Sequence, residues 1–432
     1  MNKRLIMVAA TATLAAVACS PTTTSGGGTG GSAKTLTVWT SLSGPQRDLF
    51  TQYGKDFERA HQGITVKIDY MSDDDMKQKV QAGLVAHNLP TIVQWYGGSF
   101  LTPLITAGAL TDLTPYANAD ASWKSELLPG ALDNYGAGGK TYMAPVESPV
   151  VELFYNKALF KKAGLAGPPA TFDDLLAAVG KLKAAGLIPI TLDGKDGWPL
   201  QQWFAYLAMR NGGATLVTDA MAGRAPWTAP PFVQAARQLK QLIDAGAFEK
   251  GYLGTGYDAA MSNYTGSRAG MILSGTWIMS SLAASENASV LRDTGFADFP
   301  LVPGGKGTTA EVLGGPNSAL GISTWAPDKA LAWEFIKGQT ASSEAAKVAQ
   351  KSLILVPNKI TYDRAAVPAM YNDLVDRLSG YKTSILFWNE LLPPAQNTAF
   401  TDLQNRLATG DVTPEKMMSD FAAYLQAHPV TS

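Results

Sequence analysis

Cysteine is nearly missing from this chain: Cys19 is the only one in 432 residues. A disulfide framework is therefore excluded, and so sparse a thiol count suits an oxidising compartment. The three histidines, His61, His87 and His428, are far apart and leave little for a zinc site. Charge of one sign is lacking too, with a formal net charge of −1 and both signs interspersed. Without a basic stripe, no nucleic-acid partner is expected. Long apolar runs are absent: Leu5–Val17 is uncharged but far shorter than the ~20 residues a membrane span needs, and nothing later reaches that length. Catalytic signatures are missing as well, with no G-x-S-x-G and no H-E-x-x-H. Gly304-Gly-Lys-Gly307 lacks phosphate-loop spacing, and Asp73-Asp-Asp75 lacks the calcium-loop pattern. Neither a cofactor nor a metal is expected.

What is present begins with an export-like leader. Lys3 and Arg4 precede the apolar run, and the small pair Val17-Ala18 leads into Cys19. Residues 1–18 read as a signal peptide. The segment resembles a bacterial lipoprotein signal, which implies lipidation at Cys19. Ala16 stands where such signals usually carry Leu, and an ordinary secretory peptide cleaved near Ala18 is the other reading. Residues 19–34, rich in Ser, Thr and Gly, read as a flexible tether. Fourteen such residues reach about 20 Å, enough to hold a globular body just off a membrane.

The remaining ~400 residues exceed the size at which one core usually stops growing, so two lobes are expected. Thr35–Ser41, Ile64–Tyr70 and Thr91–Tyr96 alternate as strands, and Gln46–His61 and Asp73–Ala86 read as helices between them. This alternation implies parallel strands with crossover helices, hence an α/β fold. Ligands in such sheets sit beyond the carboxyl ends of strands. Ser41–Gly44, Asp73–Asp75 and Trp95–Ser99 would then share one rim. Further on, Val150–Tyr155 reads as a strand, and Thr171-Phe-Asp-Asp174 as a capping box opening a helix.

Three stretches carry a family resemblance. Tyr142-Met-Ala-Pro145 with Tyr155-Asn-Lys-Ala-Leu-Phe-Lys-Lys-Ala-Gly-Leu165 is the first, and Gly270-Met-Ile-Leu-Ser-Gly-Thr-Trp277 the second. Leu313-Gly-Gly-Pro316 with Ala332-Trp-Glu-Phe-Ile336 is the third. Together they resemble the solute-binding proteins of ABC importers, in the carbohydrate-binding group related to maltose-binding protein. The resemblance implies a two-lobed, type II-like periplasmic-binding-protein fold with three crossings and a ligand cleft between the lobes. It places the N-lobe at 35–145 and 305–355, and the C-lobe at 146–304 and 356–432. The implied function is capture of a di- or oligosaccharide outside the cytoplasmic membrane and delivery to a permease by hinge closure, without catalysis. A monomer is expected, either on a Gram-positive surface or in a periplasm. The alternatives are a binder of glycerol phosphodiesters or another polyol and, more remotely, a glycoside-processing enzyme.

A sugar offers apolar C–H faces and a belt of hydroxyls, so its site needs aromatic platforms ringed by polar side chains. Among ten tryptophans, Trp277 ends a strand at a position that often stacks on sugar in the resembled family. Trp388, Trp198 and the pair Trp95-Tyr96 are further platform candidates, one of that pair facing the cleft and the other the core. Trp39 and Trp333 read as core. The polar candidates are Ser41, Ser43, Asp74, Gln94, Glu147 and Asn317, with Gly315 allowing close backbone approach.

Overall fold

The computed structural model describes residues 34–429. The expected signal peptide 1–18, the tether as far as residue 33 and Cys19 lie outside the described residues.

Strand β1 (Lys34–Thr40) buries Leu36, Val38 and Thr40, every second residue, because successive side chains point to opposite faces. Helix α1 (Gly44–Ala60) follows and buries Gln46, Phe50, Gly54 and Phe57 along one stripe. Phe50, Tyr53 and Phe57 meet Phe335 edge-on at 5.9, 5.0 and 5.1 Å. Strand β2 (Ile64–Tyr70) pairs parallel to β1. Helix α2 (Asp73–Val85) starts where the Ser72 hydroxyl accepts from the Asp75 amide at 3.2 Å, with three aspartates in its first turn. Strand β3 (Ile92–Tyr96) lies parallel to β1 on its other side, and helix α3 (Gly98–Thr106) leaves its end.

The first sheet runs β2, β1, β3, Ser318–Ile322, Met143–Glu147. The expected all-parallel plan fails at one place. Ser318–Ile322 is antiparallel to both neighbours, with Ser318 opposite Tyr96 and Glu147. It arrives from the second lobe and enters the sheet at the rim where β3 ends, so it must run the other way.

The second sheet runs Thr294–Ala297, Val151–Asn156, Ala269–Gly275, Ile188–Ile190. Helices flank both sheets; two apolar clusters pack on the first sheet, and the largest, around the second sheet, also takes in Ala345, Val348 and Ala349 of the helix Ser342–Ser352. Three chain crossings join the lobes: Glu147 to Val151, Leu313 to Ser318, and a third beginning at Leu353, which touches the first lobe again where Leu128 donates to the Pro357 carbonyl at 2.8 Å and Lys359 to the Glu126 carbonyl at 2.7 Å. They lie side by side, Gly315 donating to the Pro149 carbonyl at 3.0 Å and Ser148 to the Leu355 carbonyl at 2.8 Å. This is the two-lobed α/β architecture that the resemblance implies.

Residues 305–313, expected in the first lobe, pack on the second. The buried Arg210 guanidinium donates to the carbonyls of Phe299, Thr308 and Glu311, and Val312 and Leu313 join the second lobe's core. Nothing in local pattern marks this, because the anchor is a single arginine about a hundred residues earlier.

In the second lobe, the helix Phe172–Ala184 opens with a complete capping box between Thr171 and Asp174. Thr171→Ala removes one cap acceptor and should lower unfolding free energy by about 0.5–2 kcal/mol. Urea denaturation checks this, and an unchanged midpoint would show that the cap contributes nothing.

Candidate functional site

The rims of the two sheets face each other, and the lobes touch along a seam. The Ser280 hydroxyl donates to the Ser43 carbonyl at 3.2 Å, and the Ser99 hydroxyl to the Asn389 carbonyl at 3.1 Å. Gly98 permits this approach. Its φ is +57°, and a Cβ there would lie 2.4 Å from the Glu390 carbonyl oxygen. Only glycine meets both demands.

The second lobe supplies an aromatic wall. Trp277 sits at the end of Ala269–Gly275, with Trp198 edge-to-face at 5.6 Å and Phe387 at 5.8 Å. Gly275 makes room for it, since a Cβ there would fall 2.0 Å from the Trp277 ring. Phe387 is buried, whereas Trp198 and Trp277 keep part of their surface open. Those open faces could stack on a flat, apolar ligand surface.

Carboxylates converge from both lobes. Glu147 lies on the first crossing, 8% exposed, and its side chain makes no hydrogen bond within the described residues. Burial alone pushes its pKa up to about 7. Glu390 is 1% exposed and accepts from Asn134 at 2.8 Å and from Asn317. Burial raises it to about 8, against the opposing pull of those two amides. Asp193 is raised to about 8 by burial, then by the charges of Asp196, Glu249 and Asp74. Asp196 rises to about 6, again through burial first and then through Asp74, which faces it from the other lobe. On the first lobe, Asp73 is engaged by Lys77 at 2.5 Å and by the Tyr96 hydroxyl.

The sequence candidates divide accordingly. Trp277, Trp198, Glu147, Asp74, Tyr96 and Asn317 come together at the seam. Ser41 stands beside them, its amide donating to the Gln94 carbonyl oxygen at 3.0 Å. Ser43 is exposed and meets the other lobe through its backbone. Four candidates go elsewhere. Trp388 is 2% exposed within the second core, packed on Phe204, Trp227 and Phe400 at 5.3–5.7 Å. Trp95 is 3% exposed, with its indole N–H on the Phe100 carbonyl. Gln94 spends its amide inside the first lobe, accepting from Thr40 and Ser41 and donating to Ser318 at 2.6 Å. Gly315, at φ +134°, makes room for Leu386, from which a Cβ would lie 2.8 Å away.

Sequence reasoning missed Asp193, Asp196, Asn134, Phe387 and Glu390. Two of the signals were in view. Asp193 and Asp196 sit in the turn-rich loop just before Trp198. Glu390 follows Trp388 by two residues on a one-turn helix, about 200° around its axis, so a buried Trp388 turns Glu390 towards the seam. Asn134 had no local signal, since only packing against Gly97 and Pro316 brings it here.

A family model described as bacterial extracellular solute-binding protein matches residues 43–345. The chain belongs to that family. It is 25% identical over 411 residues to a binding protein of Brucella abortus, covering 91% of this chain and 92% of that one. It is 26% identical over 296 residues to the multiple sugar-binding protein of Streptococcus mutans, covering 67% of each. A solved structure described under xylan utilization by the thermophilic bacterium Caldanaerobius polysaccharolyticus matches with a TM-score of 0.84 and 26% identity, over 90% of this chain and 100% of that one.

This solute-binding protein should show an inverted acid response. Glu147, Asp193 and Glu390 hold protons in the folded state that the unfolded chain releases near pH 4. Their contribution is therefore greatest below those unfolded values and falls as pH rises, until it is lost above about 8. Urea midpoints should decline from pH 5 to pH 8, and Glu390→Gln should flatten the decline. A midpoint that rises over this window would contradict the burial of these groups.

Proposed function

We propose that the protein is the carbohydrate receptor of an ABC importer, taking a di- or oligosaccharide between its two lobes and passing it to a membrane permease without chemical change. The carrying observation is the open aromatic surface of Trp198 and Trp277 set against Glu147, Glu390 and the amides of Asn134 and Asn317. Aromatic faces suit the C–H side of a sugar ring, and the carboxylates and amides suit its hydroxyls. The name of the Streptococcus mutans relative supports the same substrate class.

A glycerol phosphodiester fits poorly, because it needs a cation aimed into the cleft. Arg210 is spent on backbone carbonyls, Arg268 binds Asn263 and the Ser262 carbonyl, and Arg47 lies over the Tyr70 ring. The lobes are the hinged units, and a ligand favours closure only as far as it binds the closed state better. Attachment through Cys19 would keep such a monomer near its permease while leaving both lobes free to move.

A thermal-shift screen over mono-, di- and oligosaccharides and glycerol-3-phosphate esters tests the reading. At 100 times its Kd, the ligand adds about 2.7 kcal/mol of stability. Trp277→Ala should weaken the responding sugar at least tenfold, about 1.4 kcal/mol, with the melting temperature of the free protein nearly unchanged. A shift with a phosphodiester and none with any sugar would overturn the carbohydrate reading. Hydrolysis of an oligosaccharide would overturn the absence of catalysis.

A further inference from the structure

The first lobe carries an apolar spot at the end farthest from the cleft. Only three large hydrophobic side chains among the described residues are exposed: Val85 at 85%, Leu128 at 44% and Trp325 at 38%. Two of the three belong to this spot. Val85 ends α2, whose first turn lies at the rim, and His87 follows two residues on. The His87 ring stacks on the Trp325 indole, with centroids 5.3 Å apart and planes 20° off parallel. Trp325 follows the strand Ser318–Ile322, which runs from the rim, where Ser318 lies opposite Tyr96, to the far end, where Ile322 lies opposite Ile92.

His87 is held there against its backbone preference. Its φ is +53°, in the left-handed region that a helix normally gives to glycine just past its last turn. A glycine would end α2 with less strain, but it would remove the ring against which Trp325 leans. From its own loop, Trp325 is braced by its amide, which donates to the Ser323 hydroxyl at 3.1 Å.

The chain also enters the fold at this end. Lys34 opens β1 and pairs at 2.8 Å with Asp328, three residues beyond Trp325. Fourteen residues separate Lys34 from Cys19, and a Gly/Ser-rich segment of that length reaches about 20 Å.

We propose that this spot is a membrane contact: with the chain attached to lipid at Cys19, Trp325 and Val85 rest in the interfacial layer of the bilayer. The cleft rim, at the opposite ends of the same strands, then faces the medium. The inference rests on reading Cys19 as the attachment point. Tryptophan favours the headgroup level of a bilayer, because its ring is apolar while its N–H can still donate to polar groups. Two exposed side chains are too few for a stable protein partner, whose interface takes about 20–30 residues a side. A weak contact suffices for a tethered body, since the tether holds it at high local concentration beside the lipid. Asp328, the acid beside the spot, is paired with Lys34, and Lys329 follows it in the chain, which suits an anionic lipid surface.

Quenching by brominated lipid tests the contact. The chain from Cys19 onwards retains every described residue, and its single thiol can be coupled to a maleimide phospholipid in phosphatidylglycerol–phosphatidylcholine vesicles. Bromine placed high on the acyl chains quenches only a tryptophan that enters the bilayer. The coupled protein should lose fluorescence in brominated relative to plain vesicles, and Trp325→Phe should abolish that loss. Val85→Asp changes an exposed position, so it should fold normally and lose most of the quenching. If the coupled protein is not quenched, this end stays in water; if Trp325→Phe is quenched equally, another face meets the lipid. Either result overturns the contact. Coupling supplies the attachment chemically, so these outcomes read the spot alone. Mass spectrometry of Cys19 in protein taken from its native envelope reads the attachment: an acylated cysteine supports the proposal, and an unmodified one overturns it whatever the vesicles show.

Discussion

The structure turns on carboxylates largely withdrawn from water at and beside the seam between two lobes. Glu147 sits on a crossing strand, Glu390 on a one-turn helix wedged between the lobes, and Asp193 in a loop of the second lobe. Removing such groups from water opposes their ionised form by several kcal/mol each, so every arrangement of the lobes is also a choice of protonation and hydrogen bonding. Glu390 is partly relieved by Asn134 and Asn317, one from the first lobe and one from a crossing. Glu147 and Asp193 are not relieved in this way, and their open acceptor sites are what a ligand rich in donors would fill.

Rigid support lies behind each of these groups. Trp388 roots the short helix of Glu390 among Phe204, Trp227 and Phe400. Gln94 ties β1 to the strand Ser318–Ile322 and holds the Ser41 amide at the rim. Gly275 gives Trp277 the space to lie against Trp198. Side chains expected to touch a ligand thus serve as mounts for those that can, which suits a receptor whose site must be held closely by elements that move as two bodies.

Much of the fold was legible because its signals are local. Alternation predicted β1, β2 and β3 to within a residue or two, and the Thr171–Asp174 box opened a helix as expected. The reversed strand Ser318–Ile322 was not legible. Its direction depends on where the chain re-enters after a long excursion, and no period within five residues carries that information. The transfer of residues 305–313 to the second lobe was hidden for the same reason, since Arg210 makes the attachment from a distant helix.

Candidate platforms were harder to sort than candidate strands. A tryptophan at a strand end or helix start has the same sequence signature whether it faces solvent or core. Trp277 and Trp388 look alike in the sequence, yet one is open to the seam and the other is enclosed on all sides. By itself the sequence determined the α/β class, the family motifs and the supply of aromatic and acidic groups, all of which follow from residue type and short-range spacing. Which of those groups face one another across the lobes was decided only by tertiary structure, because burial and charge proximity arise between segments separated by up to about three hundred residues.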